Sequence, residues 1–355
     1  MRELVVSSEQ VTNPEPLFDA ISGAEDIVLE LRHSFRPDVA ATLLLCAAVS
    51  RAERRLLFRF PSGVTENLLE SATRSFLGAL LFGRDGLRER GTDTGDIARR
   101  TLEYSDPVRK QFCVSTSMLG CESREAFAAE FGGWARRAAI ALPDSLLGRV
   151  GMLAYEACVN AEEHGASRVD RAGVTDPMPV MRCFVARLHS EPGFPAATQF
   201  KSYFDRFLTR HDARTSWLEL LVVDAGMGVA FPHFHVTEVG RAYGVPLYET
   251  PYEVERDLFE RVLARGGSTK GRWGRVVARH AVAGEGLRMM QARLRSLGAA
   301  AVIRTGRSAA FIDCALAREE GQPAVDVRTE VRPRAIAPGT LWHLMVPLDP
   351  QLRLL

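Results

Sequence analysis

Short apolar runs alternate with longer amphipathic stretches along this chain, and that alternation predicts its elements. IVLEL at 27–31 and RLLFRF at 55–60 read as buried strands. Between them Pro37 opens a helical stretch, DVAATLLLCAAVSRAE, as proline does at a first turn. A second helix is predicted over NLLESATRSFLGALLF, and another strand over FCVSTSML at 112–119. The polar, Gly-rich stretch from Gly83 to Gly95 reads as a loop. This β-α-β-α order predicts a small α/β domain over residues 1–122.

A longer unit is predicted over residues 123–355. Ser123 stands as an N-cap candidate before AFAAEFGGWARRAAIAL, and Pro143-Asp144-Ser145 breaks that helix and caps the next. On the next helix Leu146, Leu147, Val150, Leu153, Ala154, Ala157 and Ala161 keep helical spacing and form a core stripe. VMRCFVARL at 180–188 and WLELLVVD at 217–224 predict strands. The polar stretch between them, with FKSYFDRFLTRHDART, reads as a long hairpin excursion. A helix over 252–265, another beginning in GEGLRMMQARLRSL, and strands at 300–305, 309–316 and 340–348 complete the expected α/β fold.

Composition adds little but excludes some classes. The 355 residues are 46% hydrophobic and 25% charged, as in an ordinary globular chain. A net charge of +1 gives no global field toward nucleic acid or a membrane, so neither partner is indicated. The six cysteines form no C-x-x-C pair, which points to neither a zinc site nor a redox motif. Without a signal-peptide pattern or a bilayer-length apolar run, the expectation is a cytoplasmic protein.

The chemistry gathers in four short motifs. Glu156, Asn160 and His164 recur every fourth residue in LAYEACVNAEEHG and line the border of the core stripe. A carboxylate can polarise a water there, and an amide oxygen can take a hard cation. Asp224-Ala225-Gly226-Met227-Gly228 ends an apolar strand, leaving an acceptor beside open backbone that a flat base can approach. Gly284-Glu285-Gly286-Leu287 opens a helix whose N-terminal amides suit a phosphate, and Ser268, Thr269 and Lys270 lie upstream in a Gly-rich loop. Gly339-Thr340 leads into the last strand, where a hydroxyl can support a buried aspartate.

Taken in order, E-x-x-x-N, D-x-G-x-G, G-x-G-L and the closing G-T resemble the boxes of the GHKL ATPase superfamily over about residues 123–355. The resemblance implies a two-layer α/β sandwich that binds ATP and Mg²⁺. It implies Glu156 as general base, Asn160 as the metal ligand and Asp224 as reader of the adenine amine. It also implies Gly226 and Gly228 beside the base, and Thr340 supporting Asp224. Ser268, Thr269 and Lys270, with Gly284, Gly286 and Leu287, would meet the phosphates. The N box is similar to that of anti-sigma-factor serine kinases, and the first 122 residues are loosely similar to a STAS domain. The implied function is an ATPase working as a conformational switch for a protein partner. The alternatives are a serine/threonine protein kinase of the partner-switching type and a nucleotide-binding module without turnover. Such relatives often dimerise through ATP, so a homodimer is also an option. The segment between Gly228 and Gly266 is long for a simple kinase of this kind and is expected to carry an extra interaction element.

Overall fold

A computed structural model describes residues 3–7, 17–24, 26–30, 39–51, 55–59, 91–92, 102–115, 124–165, 167–170, 173–177, 181–189, 200–212, 215–226, 228–230, 234, 247–265, 286–313, 326–331 and 337–348. The described fold is mixed α/β around a large antiparallel sheet. The predicted helix over NLLESATRSFLGALLF lies outside the described residues.

The N-terminal segment runs β1 (Glu3–Ser7), α1 (Phe18–Gly23), β2 (Asp26–Glu30), α2 (Val39–Arg51), β3 (Arg55–Arg59) and β4 (Gly91–Thr92). The first three strands are parallel neighbours, as crossover helices require, and β4 adds an antiparallel edge. Strand β1 has no counterpart among the predicted strands.

Next come β5 (Leu102–Asp106), β6 (Gln111–Ser115), α3 (Arg124–Arg137) and α4 (Asp144–Gly165). A small hairpin, β7 (Ser167–Asp170) with β8 (Gly173–Pro177), leads to β9 (Arg182–His189), α5 (Lys201–Leu208) and β10 (Ser216–Asp224). A short 3₁₀ turn at Leu247–Glu249 precedes α6 (Tyr252–Arg265), and α7 (Gly286–Leu297) precedes β11 (Ala300–Gly306) and β12 (Ser308–Asp313). The described chain ends with β13 (Asp326–Val331) and β14 (Ala337–Leu348). The large sheet has the order β13-β12-β11-β14-β10-β9-β6-β5, with every neighbouring pair antiparallel. It therefore runs across the expected 122/123 boundary, because β5 and β6 form one edge of it.

Alternation along β10 divides the core in two. Leu218, Leu220 and Val222 face a cluster built with α3, α4, α6 and α7. Leu221 and Val223 face the other way, into a cluster with α1 and α2. A two-layer sandwich was expected, but the sheet carries helices on both faces. The reason is apolar residues at both parities: β9 and β10 are buried on each side, and such strands need two covers. On the α3 side, Phe112, Phe127, Phe131, Trp134 and Phe184 pack edge-on and tilted at 5.6–6.4 Å between centroids.

The stretch read as a polar excursion supplies part of the second cover. Helix α5 is strongly amphipathic and buries Phe204 and Phe207, with Phe200 just before it, against Trp217 and Phe311 of the sheet. Arg210, just beyond α5, pairs with Asp313 at the end of β12.

Four cysteines among the described residues, Cys46, Cys113, Cys158 and Cys183, are buried thiols outside any disulfide. Burial pushes the Cys46 thiol up to about 12, so it packs as a small hydrophobe.

Also on the α1/α2 and α5 side, buried Glu219 accepts hydrogen bonds from His189 and His343 at 2.8 Å each and lies 3.4 Å from Arg187. Burial alone would push its carboxyl up. The hydrogen bonds from the two imidazoles and the charges of His343 and Arg187 outweigh this and hold it well below the ordinary carboxylate range. An acid lowered in the folded state stabilises fully above the unfolded value, near 4.5, and that contribution is lost as pH falls below it. Glu219→Gln should therefore cost about 2 kcal/mol near neutral pH, the worth of hydrogen bonds to a charged group. It should also flatten the acid side of the stability profile. Thermal midpoints between about pH 7 and 3 check this; parallel acid slopes in the two proteins would refute it.

Candidate functional site

The strand registers bring a polar row together at one end of the sheet. Asp224 pairs with Thr340 on β14 and with Arg182 on β9, Thr340 pairs with Thr305 on β11, and Thr305 pairs with Ser308 on β12. All five have the parity of the residues that face α3, α4, α6 and α7, since Phe184, Val222, Trp342, Ile303 and Ala310 lie in that cluster. One step inward from the row, these same strands present only apolar side chains to the helices. The row thus forms a polar rim on an apolar face. Asp224, Thr305, Thr340 and Ser308 are buried, and Arg182 is partly so.

Backbone geometry knots the rim around Asp224. Its Oδ1 accepts the Gly226 N–H at 2.9 Å, closing a tight turn directly after β10. Gly339 stands at φ 61°, and a Cβ there would fall 2.0 Å from the Asp224 carbonyl and 2.6 Å from its Oδ1. Gly228 stands at φ 79°, with the Thr305 hydroxyl 2.6 Å from where its Cβ would be. The next N–H, of Val229, donates to that hydroxyl at 2.8 Å. Thr305 is absent from the motif reading, because nothing in its own neighbourhood marks a threonine near a strand end.

Helix α4 lies over β9, β10 and β14, the strands that carry Arg182, Asp224 and Thr340. Pro143 accepts the N–H groups of Leu146 and Leu147 and starts the helix, and the predicted stripe is its buried face. Glu156 and Asn160 sit one turn apart on it, the acid 5% exposed and the amide half-buried. Glu156 and Asp224 therefore belong to the same side of the sheet. Glu156 is not simply open: Oε1 lies 3.1 Å from the guanidinium of Arg124, the first residue of α3. No spacing rule connects residues 124 and 156; the antiparallel packing of α3 on α4 does.

Helix α7 begins at Gly286, with Leu287 half-buried behind it, and packs along α4. Its N-terminal amides form the positive end of a helix dipole. Ser268, Thr269, Lys270 and Gly284 lie outside the described residues, as does the side chain of His164.

The residues present suit a nucleotide and its metal in kind. Asp224 is a buried acceptor at a strand end, and Gly226 follows it in a tight turn. Mg²⁺ takes one or two protein oxygens and completes its shell with phosphate and water, so the Asn160 amide is a suitable ligand. Among the described residues, no group of three or more His, Cys, Asp or Glu side chains is arranged to hold a metal. No protein-family model matches the chain, and neither the curated proteins nor the solved structures contain a match. No described helix is long and apolar enough to cross a membrane.

The crowding at Gly339 makes a sharp test. Gly298 also has φ 61°, but a Cβ there would meet nothing nearer than Pro347 at 4.0 Å. Gly298→Ala should cost about 1–2 kcal/mol, the left-handed backbone penalty alone. Gly339→Ala should cost clearly more, since Asp224 must be pushed aside. Urea midpoints of the two variants measure the difference, and equal losses would show that the knot is not tight.

Proposed function

We propose that this protein binds ATP with Mg²⁺ and hydrolyses it, acting as a nucleotide-driven switch for a protein partner. The observation that carries the reading is the knot of Asp224, Gly226, Gly228, Gly339 and Thr340 on the sheet face covered by α4 and α7. Those residues come from two of the motifs that resemble the GHKL boxes, and the two helices bear the other two. An arrangement of this kind suits that superfamily better than any single motif does.

In this reading Asp224 accepts a hydrogen bond from the exocyclic amine of adenine, and Thr340 supports the carboxylate. Gly226 and Gly228 let the flat base approach the backbone. The N-terminal amides of α7, from Gly286 onward, meet phosphate oxygens. Asn160 holds Mg²⁺, which supplies neutralisation of the charge developing on the phosphoryl oxygens. Glu156 accepts the proton of the attacking water, and the products are ADP and inorganic phosphate. Arg124, 3.1 Å from Oε1, orients that carboxylate.

Asp224→Ala should abolish ATP binding measured by titration calorimetry. Glu156→Ala should bind ATP within about threefold of the parent while losing at least ~100-fold in phosphate release, the usual worth of a general base. ATP labelled on its γ-phosphate separates the readings further. Label released as free phosphate supports the ATPase, label on a protein would move the assignment to the serine/threonine kinase, and intact ATP would leave a binding module. Unchanged turnover in Glu156→Ala would remove the assigned base.

A further inference from the structure

One hairpin turn, Thr305-Gly306-Arg307-Ser308, touches the segment that follows the Asp224 loop at two places, its start at Val229 and the stretch from Leu247 to Glu255. At the start of that segment, the Thr305 hydroxyl accepts the Val229 N–H and closes against Gly228. Further along, Arg307 binds the stretch from Leu247 to Glu255 through its backbone N–H and all three side-chain nitrogens. Its backbone N–H donates to Glu255 Oε1 at 2.7 Å, and its Nε–H donates to Oε2 at 2.8 Å. Its two terminal nitrogens donate to the carbonyls of Thr250 and Leu247 at 3.0 and 3.1 Å. Glu255, on α6, is 0% exposed and Arg307 is 6% exposed. Gly306, at φ 54°, makes the turn between the two anchors.

Such a clamp resists partial opening. A planar guanidinium fork bonded at each of its three nitrogens is geometrically demanding, and separating it from Glu255 would leave an unpaired charge in the core. Helix α6 is thus either seated on this turn or released from it. Thr305, two residues from Arg307, pairs directly with Thr340, which pairs with Asp224. Helix α6 ends at Arg265, and Ser268, Thr269 and Lys270 follow it in the sequence.

We propose that this turn is a positioning device that couples the nucleobase loop to α6: Thr305 sets the backbone after Asp224, and Arg307 seats the helix. Helix α6 is then a responsive part of the nucleotide site. This rests on the ATP reading above. Coupling between two sites is reciprocal, so whatever tightens α6 when nucleotide binds must weaken nucleotide binding when α6 is loosened.

The test uses the full chain, Mg-ATP titration calorimetry, and amide hydrogen exchange across Tyr252–Arg265 with and without Mg-ATP. In the parent, saturation with nucleotide should slow exchange in α6 about tenfold. Thr305→Val keeps the shape and loses the acceptor; it should remove that slowing and weaken ATP binding about five- to tenfold. Thr305→Ser, which keeps the hydroxyl, should restore both. Arg307→Lys should speed α6 exchange and weaken ATP by a similar factor; if it fails to fold, the Thr305 pair decides alone. Normal ATP binding with unresponsive α6 exchange, or a serine variant no better than valine, overturns the coupling and leaves the nucleotide reading standing. Failure of the parent to bind ATP overturns the nucleotide reading and this inference with it.

Discussion

The register that joins β10 to β14 is the constraint on which the candidate site depends. Pairing Asp224 with Thr340 puts both side chains on the face covered by α3, α4, α6 and α7 and brings Gly339 against the Asp224 carbonyl. A slip of one residue would turn every side chain of β14 to the opposite face. Trp342, Leu344 and Val346 would leave one core, and the polar rim would break. The register is therefore enforced by apolar burial along the strand, and the site at its end inherits that precision. The rim needs no large stabilising energy of its own.

Burial on both faces of the sheet gives the site its rigid floor. One face carries α3, α4, α6 and α7, and the other carries α1, α2 and α5. Two buried carboxylates in this interior, Glu219 and Glu255, are each met by several partners. Glu219 has two imidazoles and an arginine around it, and Glu255 has both oxygens on Arg307. The first binds three strands together on the face away from the rim. The second pins α6 to a hairpin beside the rim. Burial pushes the Glu255 carboxyl up, and the hydrogen bonds and charge of Arg307 oppose that rise without cancelling it.

Several elements were legible from pattern alone because their cause is local. The stripe on α4 follows from helical spacing, and that spacing put Glu156 and Asn160 at its border, where the fold has them. The apolar run before Asp224 marked a strand with an acid at its end, and Gly226 and Gly228 marked the turn. Other features were not legible. Strands β1 and β13 are short and depend on neighbours distant in sequence. Helix α5 was hidden by its charged face, although Phe200, Phe204 and Phe207 pack onto the sheet. Arg124 on Glu156, Thr305 on Val229 and Arg307 on Glu255 link residues 32, 76 and 52 positions apart, and no short motif encodes such pairs.

By itself, then, the order of residues determined periodicity, chain reversals and the places where only glycine leaves the backbone bare. Those are properties of a few consecutive residues, set by steric limits on φ and ψ and by the repeat of helix or strand. Which strand lies beside which, how both faces of the sheet are covered, and which arginine meets which carboxylate were decided only by the tertiary structure. They arise from apolar surfaces competing for burial across the whole chain, and a buried charge finds its partner only after that packing has chosen its neighbours.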